Sequence, residues 1–154
     1  AMVFNNQEDV KEAYHKGLLN KDVVVVVRFQ GPKANGMPEL HALTPILSNL
    51  QDMGFRVALV TDGRMSGASG KVPSAIHVTP EAIDGGTISK IQDGDKIEID
   101  ANTGKLNLNE NYSNRKTPKL EKDLNVGFGR NLFSLLRKNA ISPESGAGLN
   151  LIND

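Results

Sequence analysis

The run DVVVVVRF at residues 22–29 decides the expected fold class of this chain. Its five consecutive valines are β-branched, are far too few to span a membrane, and are soon followed by Gly31-Pro32, which ends a regular element. A short strand without alternating polar residues is typical of a strand buried on both faces, as in a parallel sheet covered by helices. The run therefore predicts an α/β fold.

A helix and a second strand follow this run and complete a predicted βαβ unit. Residues 38–53 carry leucines and an isoleucine on one helical stripe, although Pro45 favours a later start of the helix proper. Residues 55–60 are again a short apolar strand. Ahead of the unit, residues 8–19 have the spacing of an amphipathic helix that ends near Gly17.

The pattern changes in the second half of the chain, where short strands alternate with turns. The predicted strands are residues 75–78, 88–91, 96–99 and 105–108, with turns at 93–95 and 102–104. Residues 109–122 are polar and predict a loop. The stripe of Leu132, Leu135 and Leu136, with Phe128 as a further member, predicts a C-terminal helix. The Gly-rich residues 142–154 predict either a disordered tail or a segment that packs on a further part of the protein.

Composition limits the classes of partner. The 154 residues suit one domain, and 18 basic and 18 acidic side chains cancel, so no overall field favours nucleic acid or an anionic membrane. No cysteine is present, which excludes disulfides and thiolate ligands from this chain. No apolar run approaches the roughly 18 residues of a membrane span and no signal-peptide layout is visible, so we expect a cytoplasmic protein. Ala1-Met2 resembles the residue pair that remains after an affinity tag is cleaved, so we expect residues 1–154 to be a single domain of a longer protein.

The loop after the second strand, VTDGRMSGASGK at residues 60–71, resembles a phosphate-binding loop only in part. A P-loop requires glycine where Met65 stands and serine or threonine where Val72 stands, and the dinucleotide pattern GxGxxG is also incomplete. Two interpretations remain open. Glycine-flanked N–H groups could form an anion-binding nest to which Arg64 and Lys71 add charge, or the glycines could merely allow a sharp turn.

A second loop, GPKANGMPE at residues 31–39, follows the first strand. Because the carboxyl ends of adjacent parallel strands meet at one edge of a sheet, we expect both loops to face one crevice. Glu39 is either an ordinary first-turn acid or an oxygen ligand for magnesium. The three histidines fall in separate predicted elements, which gives a histidine metal site little support, and His77 is expected to be a hydrogen-bonded core residue of a strand.

Four segments carry a resemblance to a known family. They are Gly31-Pro32-Lys33, Gly36-Met37-Pro38-Glu39, Thr61-Asp62-Gly63-Arg64-Met65-Ser66-Gly67 and Ile76-His77-Val78-Thr79-Pro80-Glu81-Ala82. In this order and spacing they resemble the C-terminal domain of the dihydroxy-acid and phosphogluconate dehydratase family, from about Val23 to Leu108 and more weakly beyond. The version Arg-Met-Ser-Gly-Ala-Ser-Gly-Lys-Val-Pro is similar to the phosphogluconate branch, whereas the dihydroxy-acid branch typically has Arg-Phe-Ser-Gly-Gly.

The resemblance implies a fold, a reaction and cofactors. The implied fold is a swivelling β/β/α domain with a barrel-like mixed sheet flanked by helices. The implied reaction is the dehydration of 6-phospho-D-gluconate to 2-dehydro-3-deoxy-6-phosphogluconate in the Entner-Doudoroff pathway, by a cytoplasmic homodimer. An iron-sulfur cluster, expected as 4Fe-4S, and Mg²⁺ or Mn²⁺ would lie between this domain and a large N-terminal domain that carries the cluster cysteines. The isolated chain would then be inactive.

The resemblance also assigns residues. Ser66 corresponds to the proposed base that takes the C2 proton, and Glu39 corresponds to the acid that reaches the divalent metal. Beside these we expect Arg64, Ser69 and Lys71, with the N–H of Gly67, to contact the carboxylate or phosphate of the substrate. The alternatives are a dehydratase for dihydroxy acids or another sugar acid, and a non-catalytic module that binds a phosphorylated acid.

Overall fold

The computed structural model describes residues 1–65, 70–120, 126–127 and 129–150. The helices are α1 (Gln7–His15), α2 (Pro32–Asn35), α3 (Leu43–Asp52) and α4 (Ser134–Lys138). The strands are β1 (Met2–Phe4), β2 (Val23–Val27), β3 (Val57–Thr61), β4 (Ser74–Ala75), β5 (Ile97–Asp100) and β6 (Lys105–Leu108). Short 3₁₀ turns lie at Ala82–Asp84, Thr87–Lys90 and Pro143–Ser145. No helix within these ranges has both the length and the apolar character needed to cross a membrane.

The valine run forms the second strand of a four-stranded parallel sheet with the order β1-β2-β3-β4. β2 and β3 are in register from the pair Val23 and Val57 to the pair Val27 and Thr61. Because α3 connects these two parallel neighbours, the predicted βαβ unit is confirmed.

The sheet is covered on both faces, as the valine run predicts. Val23, Val25 and Val27 pack with α1 and α3, whereas Val26 packs on the opposite face with Val60. That second face is covered by the 3₁₀ turns Ala82–Asp84 and Thr87–Lys90 and by the antiparallel hairpin of β5 and β6. Successive side chains of a strand point to opposite faces, so a run of one apolar residue type serves both layers.

The α/β class is confirmed, but the described strands form an open sheet and a separate hairpin, with no closed barrel among them. The strand predicted at residues 88–91 is wrong, because residues 87–90 form a 3₁₀ turn in which Ser89 Oγ donates to the Gly86 carbonyl at 2.7 Å. Ile88 and Ile91 are both buried, and a spacing of three residues places both side chains on one side of such a turn. β1 was not predicted, since three residues are too few to establish a pattern.

The C-terminal helix α4 is shorter than its predicted leucine stripe, and the leucines of that stripe are exposed. Beyond α4, the segment predicted as a tail contains the turn Pro143–Ser145, and Ile141 N donates to the Gly148 carbonyl at 3.0 Å. Phe128 and residues 151–154 lie outside the described residues.

Candidate functional site

The two glycine-rich loops lie next to each other at the carboxyl edge of the sheet, because β2 and β3 are hydrogen-bonded neighbours. Asp62, directly after β3, ties this edge together. Its carboxylate accepts hydrogen bonds from Phe29 N at 3.0 Å, Gln30 N at 2.9 Å and Ala82 N at 2.9 Å. One carboxylate therefore joins the segments that follow β2 and β3 to a third segment, which contains Ala82.

Asp62 is completely buried, and burial raises the pKa of its carboxyl, while the main-chain N–H groups oppose that rise. A buried carboxylate that accepts three N–H groups is a structural acceptor, since its oxygens already face fixed donors. The sequence contained a signal for it, namely an acid immediately after a strand buried on both faces.

Glu81 performs a similar task at the start of α2. It is buried, and its carboxylate accepts from Lys33 N at 3.1 and 3.2 Å and from Ala34 N at 3.2 Å. Gly31, which precedes the helix, has no side chain with which to cap it, and a Cβ there would lie 2.3 Å from the Glu81 carboxyl group. Glu81 thus occupies the space that glycine leaves and satisfies the first N–H groups of α2.

Burial also raises the pKa of Glu81, and the neighbouring acids Asp62 and Asp84 act in the same direction, against the N–H groups of Lys33 and Ala34. A second link joins the same segments, since Lys33 Nζ lies 2.6 Å from Asp84 Oδ2. Sequence analysis missed both buried acids as supports of the loops.

Glu39 and Arg64 are brought together at the crevice, as the parallel arrangement predicts. A guanidinium nitrogen of Arg64 lies 3.4 Å from Glu39 Oε2, and Arg64 Nε donates to the Met37 carbonyl at 2.9 Å. The main chains also pair, with a parallel bridge between Glu39 and Arg64 and a hydrogen bond from Leu40 N to the Arg64 carbonyl at 3.1 Å. The two loops therefore meet at one edge of the sheet, as predicted.

Lys71 lies elsewhere. Its ammonium is 2.6 Å from Asp52 Oδ1 at the C-terminal end of α3, whereas Glu39 precedes the N-terminal end of that helix. The other predicted contacts of this loop, Ser66, Gly67 and Ser69, fall outside the described residues.

His77 is not the core residue that the strand prediction implied. It is exposed, it follows the end of β4, and its backbone is left-handed with φ 56°. Its N–H donates to the Gly63 carbonyl at 2.9 Å, so it lies beside the loop that follows β3. Phe29 and Met37 nearby are also left-handed, with φ of 61° and 55°. Non-glycine residues held in this region carry strain, which tends to concentrate at functional sites.

The described residues do not build a complete metal or cluster site. The chain has no cysteine, so it supplies no thiolate to an iron-sulfur cluster. Among the described residues, no group of three or more histidine and acidic side chains is placed to hold a metal ion. Glu39 offers one carboxylate, one-third exposed and next to Arg64, which suits a single ligand of a hard cation.

Comparison with known proteins gives a consistent result. The family model described as "Dihydroxy-acid/6-phosphogluconate dehydratase C-terminal" matches residues 1–147. The chain is 56% identical over 149 residues to the phosphogluconate dehydratase of Zymomonas mobilis and 57% identical over 152 residues to that of Escherichia coli (strain K12). These alignments cover 94% and 96% of this chain but only 24% and 25% of the relatives, so the chain spans about a quarter of their length. The dihydroxy-acid dehydratase of Campylobacter lari is 42% identical over 110 residues, which is 71% of this chain and 19% of that protein.

Proposed function

The chain belongs to the dihydroxy-acid/6-phosphogluconate dehydratase C-terminal family, and on this premise we propose that it is one half of the active site of a phosphogluconate dehydratase. The observation that carries the proposal is the identity of 56% and 57% to two phosphogluconate dehydratases along nearly the whole chain. In this proposal the substrate would lie beside the joined loops of Glu39 and Arg64.

The proposed reaction removes water from 6-phosphogluconate. A base takes the proton from C2, the electron pair of that C–H bond forms the C2–C3 double bond, and the 3-hydroxyl group leaves and is protonated to water. The resulting enol tautomerises to the 2-keto acid. We assign the base to Ser66, which needs strong activation because a serine hydroxyl is a weak base at neutral pH.

Arg64 is the substrate-binding group with the best geometric support. The Met37 carbonyl holds Nε, and Glu39 lies against one terminal nitrogen, so the guanidinium is oriented before a ligand arrives. A guanidinium in a fixed orientation suits the two oxygens of a carboxylate or phosphate. We retain Gly67, Ser69 and Lys71 as proposed contacts; for Lys71 the contact requires that the ammonium exchange Asp52 for the substrate.

The resemblance implies a 4Fe-4S cluster and Mg²⁺ or Mn²⁺, which would supply Lewis acidity at the hydroxyl that departs. Because this chain offers no thiolate, we propose that the ligands of the cluster belong to an N-terminal domain. Glu39 is proposed as one ligand of the divalent ion. We further propose that the whole protein is a cytoplasmic homodimer in which this unit forms a single swivelling β/β/α domain.

The experiment compares Ser66→Ala with wild type in the full-length enzyme. We expect turnover of 6-phosphogluconate to fall by orders of magnitude, while the visible absorption of the cluster and the KM stay close to wild type. Ser74→Ala is the matched control, because Ser74 Oγ only donates to the Val72 carbonyl at 3.0 Å. Near-normal turnover in Ser66→Ala would remove Ser66 from the mechanism.

A second candidate is dehydration of an unphosphorylated dihydroxy acid, favoured by the 42% identity to the Campylobacter lari enzyme. Turnover of 6-phosphogluconate by the full-length enzyme, compared with turnover of a short branched dihydroxy acid, separates the two. Faster turnover of the branched acid would replace the first proposal with the second.

A further inference from the structure

The guanidinium group of Arg64 is oriented by a main-chain carbonyl. Its Nε donates to the Met37 carbonyl at 2.9 Å, while about half of the side chain is exposed. An exposed arginine samples many rotamers, and this freedom is lost when the side chain binds a ligand. The position of the Met37 carbonyl therefore decides how well Arg64 is ordered before a ligand arrives.

The position of that carbonyl depends on an unusual turn of the main chain. Gly36 and Met37 are both left-handed, with φ of 72° and 55°, and this conformation is strained for methionine. The N–H of Met37 donates to the Gly31 carbonyl at 3.2 Å, and the same carbonyl accepts from Asn35 N at 3.0 Å. The turn therefore keeps its shape only while Gly31 and α2 stay in place.

The helix α2 is too short to hold itself. It has four residues, about one turn, whereas isolated helices are marginal below about 12 residues. Its N–H groups at Lys33 and Ala34 donate to the Glu81 carboxylate at 3.1 to 3.2 Å. Glu81 also fills the space beside Gly31, where a Cβ would lie 2.3 Å from its carboxyl group. One carboxylate thus supports the start of α2 and the residue to which Met37 is bonded.

A second connection between Glu81 and Arg64 runs through Asp62. Asp62 lies two residues before Arg64 and accepts a hydrogen bond from Ala82 N, directly after Glu81, at 2.9 Å. The main chain of Arg64 and the carbonyl that holds its Nε are therefore both tied to the segment of Glu81. A displacement of α2 from this segment would move the Met37 carbonyl relative to Arg64.

We propose that Glu81 is a positioning residue for substrate binding. By holding α2 it keeps the Met37 carbonyl, and with it the guanidinium of Arg64, in the orientation that receives the carboxylate or phosphate oxygens of the substrate. The inference rests on the proposed function, in which Arg64 binds the substrate. An arginine ordered in advance binds more tightly, because less conformational freedom is lost in the complex.

The test measures kcat and KM of the full-length enzyme in a cycle of Glu81→Ala and Arg64→Ala. A smaller folded fraction lowers the apparent kcat and leaves KM unchanged, so a rise in KM reports weaker binding by the molecules that are folded. We expect Arg64→Ala to raise KM by about 10- to 100-fold, and Glu81→Ala to raise it by about 3- to 10-fold. In the Arg64→Ala background, Glu81→Ala should change KM by less than about twofold, since no guanidinium remains to be positioned.

Asp84→Ala is the matched control, because Asp84 lies on the same turn and reaches α2 through the side chain of Lys33, at 2.6 Å, and not through its main chain. Removal of either acid reduces repulsion of an anionic substrate, so electrostatics alone predicts a lower KM for both variants. Positioning predicts a higher KM for Glu81→Ala and not for Asp84→Ala. Glu81→Gln keeps an oxygen that accepts from the N–H groups of α2 and should return KM to within about threefold of wild type.

Two results would refute the positioning role: a KM of Glu81→Ala that stays at the wild-type value, or equal rises in KM in the two backgrounds. The cycle is repeated with a short branched dihydroxy acid, which also carries a carboxylate. Turnover of the branched acid alone would overturn the proposed function, while coupling between Glu81 and Arg64 in its KM would leave the positioning role standing. Turnover of 6-phosphogluconate with an unchanged KM in Arg64→Ala would overturn the positioning role and leave the proposed reaction standing.

Discussion

Glu81 holds the beginning of α2 from a position 48 residues away in sequence from Lys33, and this contact can be tested by a double-mutant cycle with Gly31. The two single changes are Glu81→Ala and Gly31→Ala. They act on the same small space, because a Cβ at Gly31 would lie 2.3 Å from the Glu81 carboxyl group. The structure therefore predicts that their effects on the free energy of unfolding are not additive.

The magnitude for Glu81→Ala follows from two main-chain donors. Lys33 N and Ala34 N lose their acceptor, and an unsatisfied buried donor costs about 1 to 3 kcal/mol. The hydrogen bonds of 3.1 and 3.2 Å lie at the long end of the usual range, and burial of the carboxylate itself costs free energy. We therefore expect the loss of each bond to cost close to the lower value of about 1 kcal/mol. We expect a loss of about 2 to 3 kcal/mol, which a domain of ordinary stability tolerates.

Gly31→Ala alone should cost about 1 to 3 kcal/mol, the usual range for overpacking a filled site. Its φ of −72° is accessible to alanine, so the cost arises from the contact with Glu81 and not from the backbone. In the Glu81→Ala background the obstacle is gone, and the same change should cost only a few tenths of a kcal/mol. The expected coupling, the difference between these two costs, is therefore about 0.7 kcal/mol or more.

The assay is urea unfolding of the four proteins of the cycle, followed by circular dichroism at constant pH. Glu98→Ala, an exposed acid on β5, is the control and should stay within about 0.5 kcal/mol of wild type. The m-value should not change, so that the midpoints report stability alone. Additive effects of Gly31→Ala and Glu81→Ala would refute the claim that this carboxyl group fills the space beside Gly31.

Three further outcomes follow from the same geometry. Because burial raises the pKa of Glu81 in the folded protein, the stability that this shift contributes is complete below the ordinary glutamate value of 4.5 and is lost as pH rises through the raised value. Glu81→Gln should therefore gain stability relative to wild type between about pH 4.5 and neutral. A difference in urea midpoints that stays constant over this pH range would contradict this. Asp62→Ala leaves three N–H groups without their acceptor and should cost about 3 kcal/mol or more, measured by the same unfolding curves, and a loss below about 1 kcal/mol would speak against the acid as a structural support. Lys71→Gln breaks a largely exposed pair with Asp52 and should change stability by less than about 1 kcal/mol, and a large fall in turnover of the full-length enzyme at unchanged stability would support the proposed contact with the substrate.

The sequence was sufficient for the parts of the fold that depend on local pattern. Local hydrophobic patterns predict three elements, namely the valine run, the helix α3 and the short strand β3. Parallel pairing of the two strands then places both loops at one edge of the sheet. The contact between Glu39 and Arg64 was not itself predicted, but it lies where this placement brings the two loops together.

Prediction failed where a short pattern suited two structures or where burial arose from distant contacts. Ile88 and Ile91 fit a strand and a 3₁₀ turn equally well, and only packing under the sheet distinguishes the two. His77 was placed in a strand because its neighbours are apolar, yet the main chain leaves β4 after Ala75. The contact of Arg130 with Asn35 gave no signal in sequence, since it depends on how the C-terminal segment folds back.

The segments that carry the family resemblance are parts of one hydrogen-bonded unit. Glu81 of the fourth segment caps the helix begun by Gly31-Pro32-Lys33, and Ala82 beside it donates to Asp62 of the third segment. Asp62 and Glu81 are therefore committed to main-chain donors and have little freedom to take part in proton transfer or metal binding. We therefore look for the reactive groups of this chain among other residues, namely Glu39, Arg64 and the proposed base Ser66.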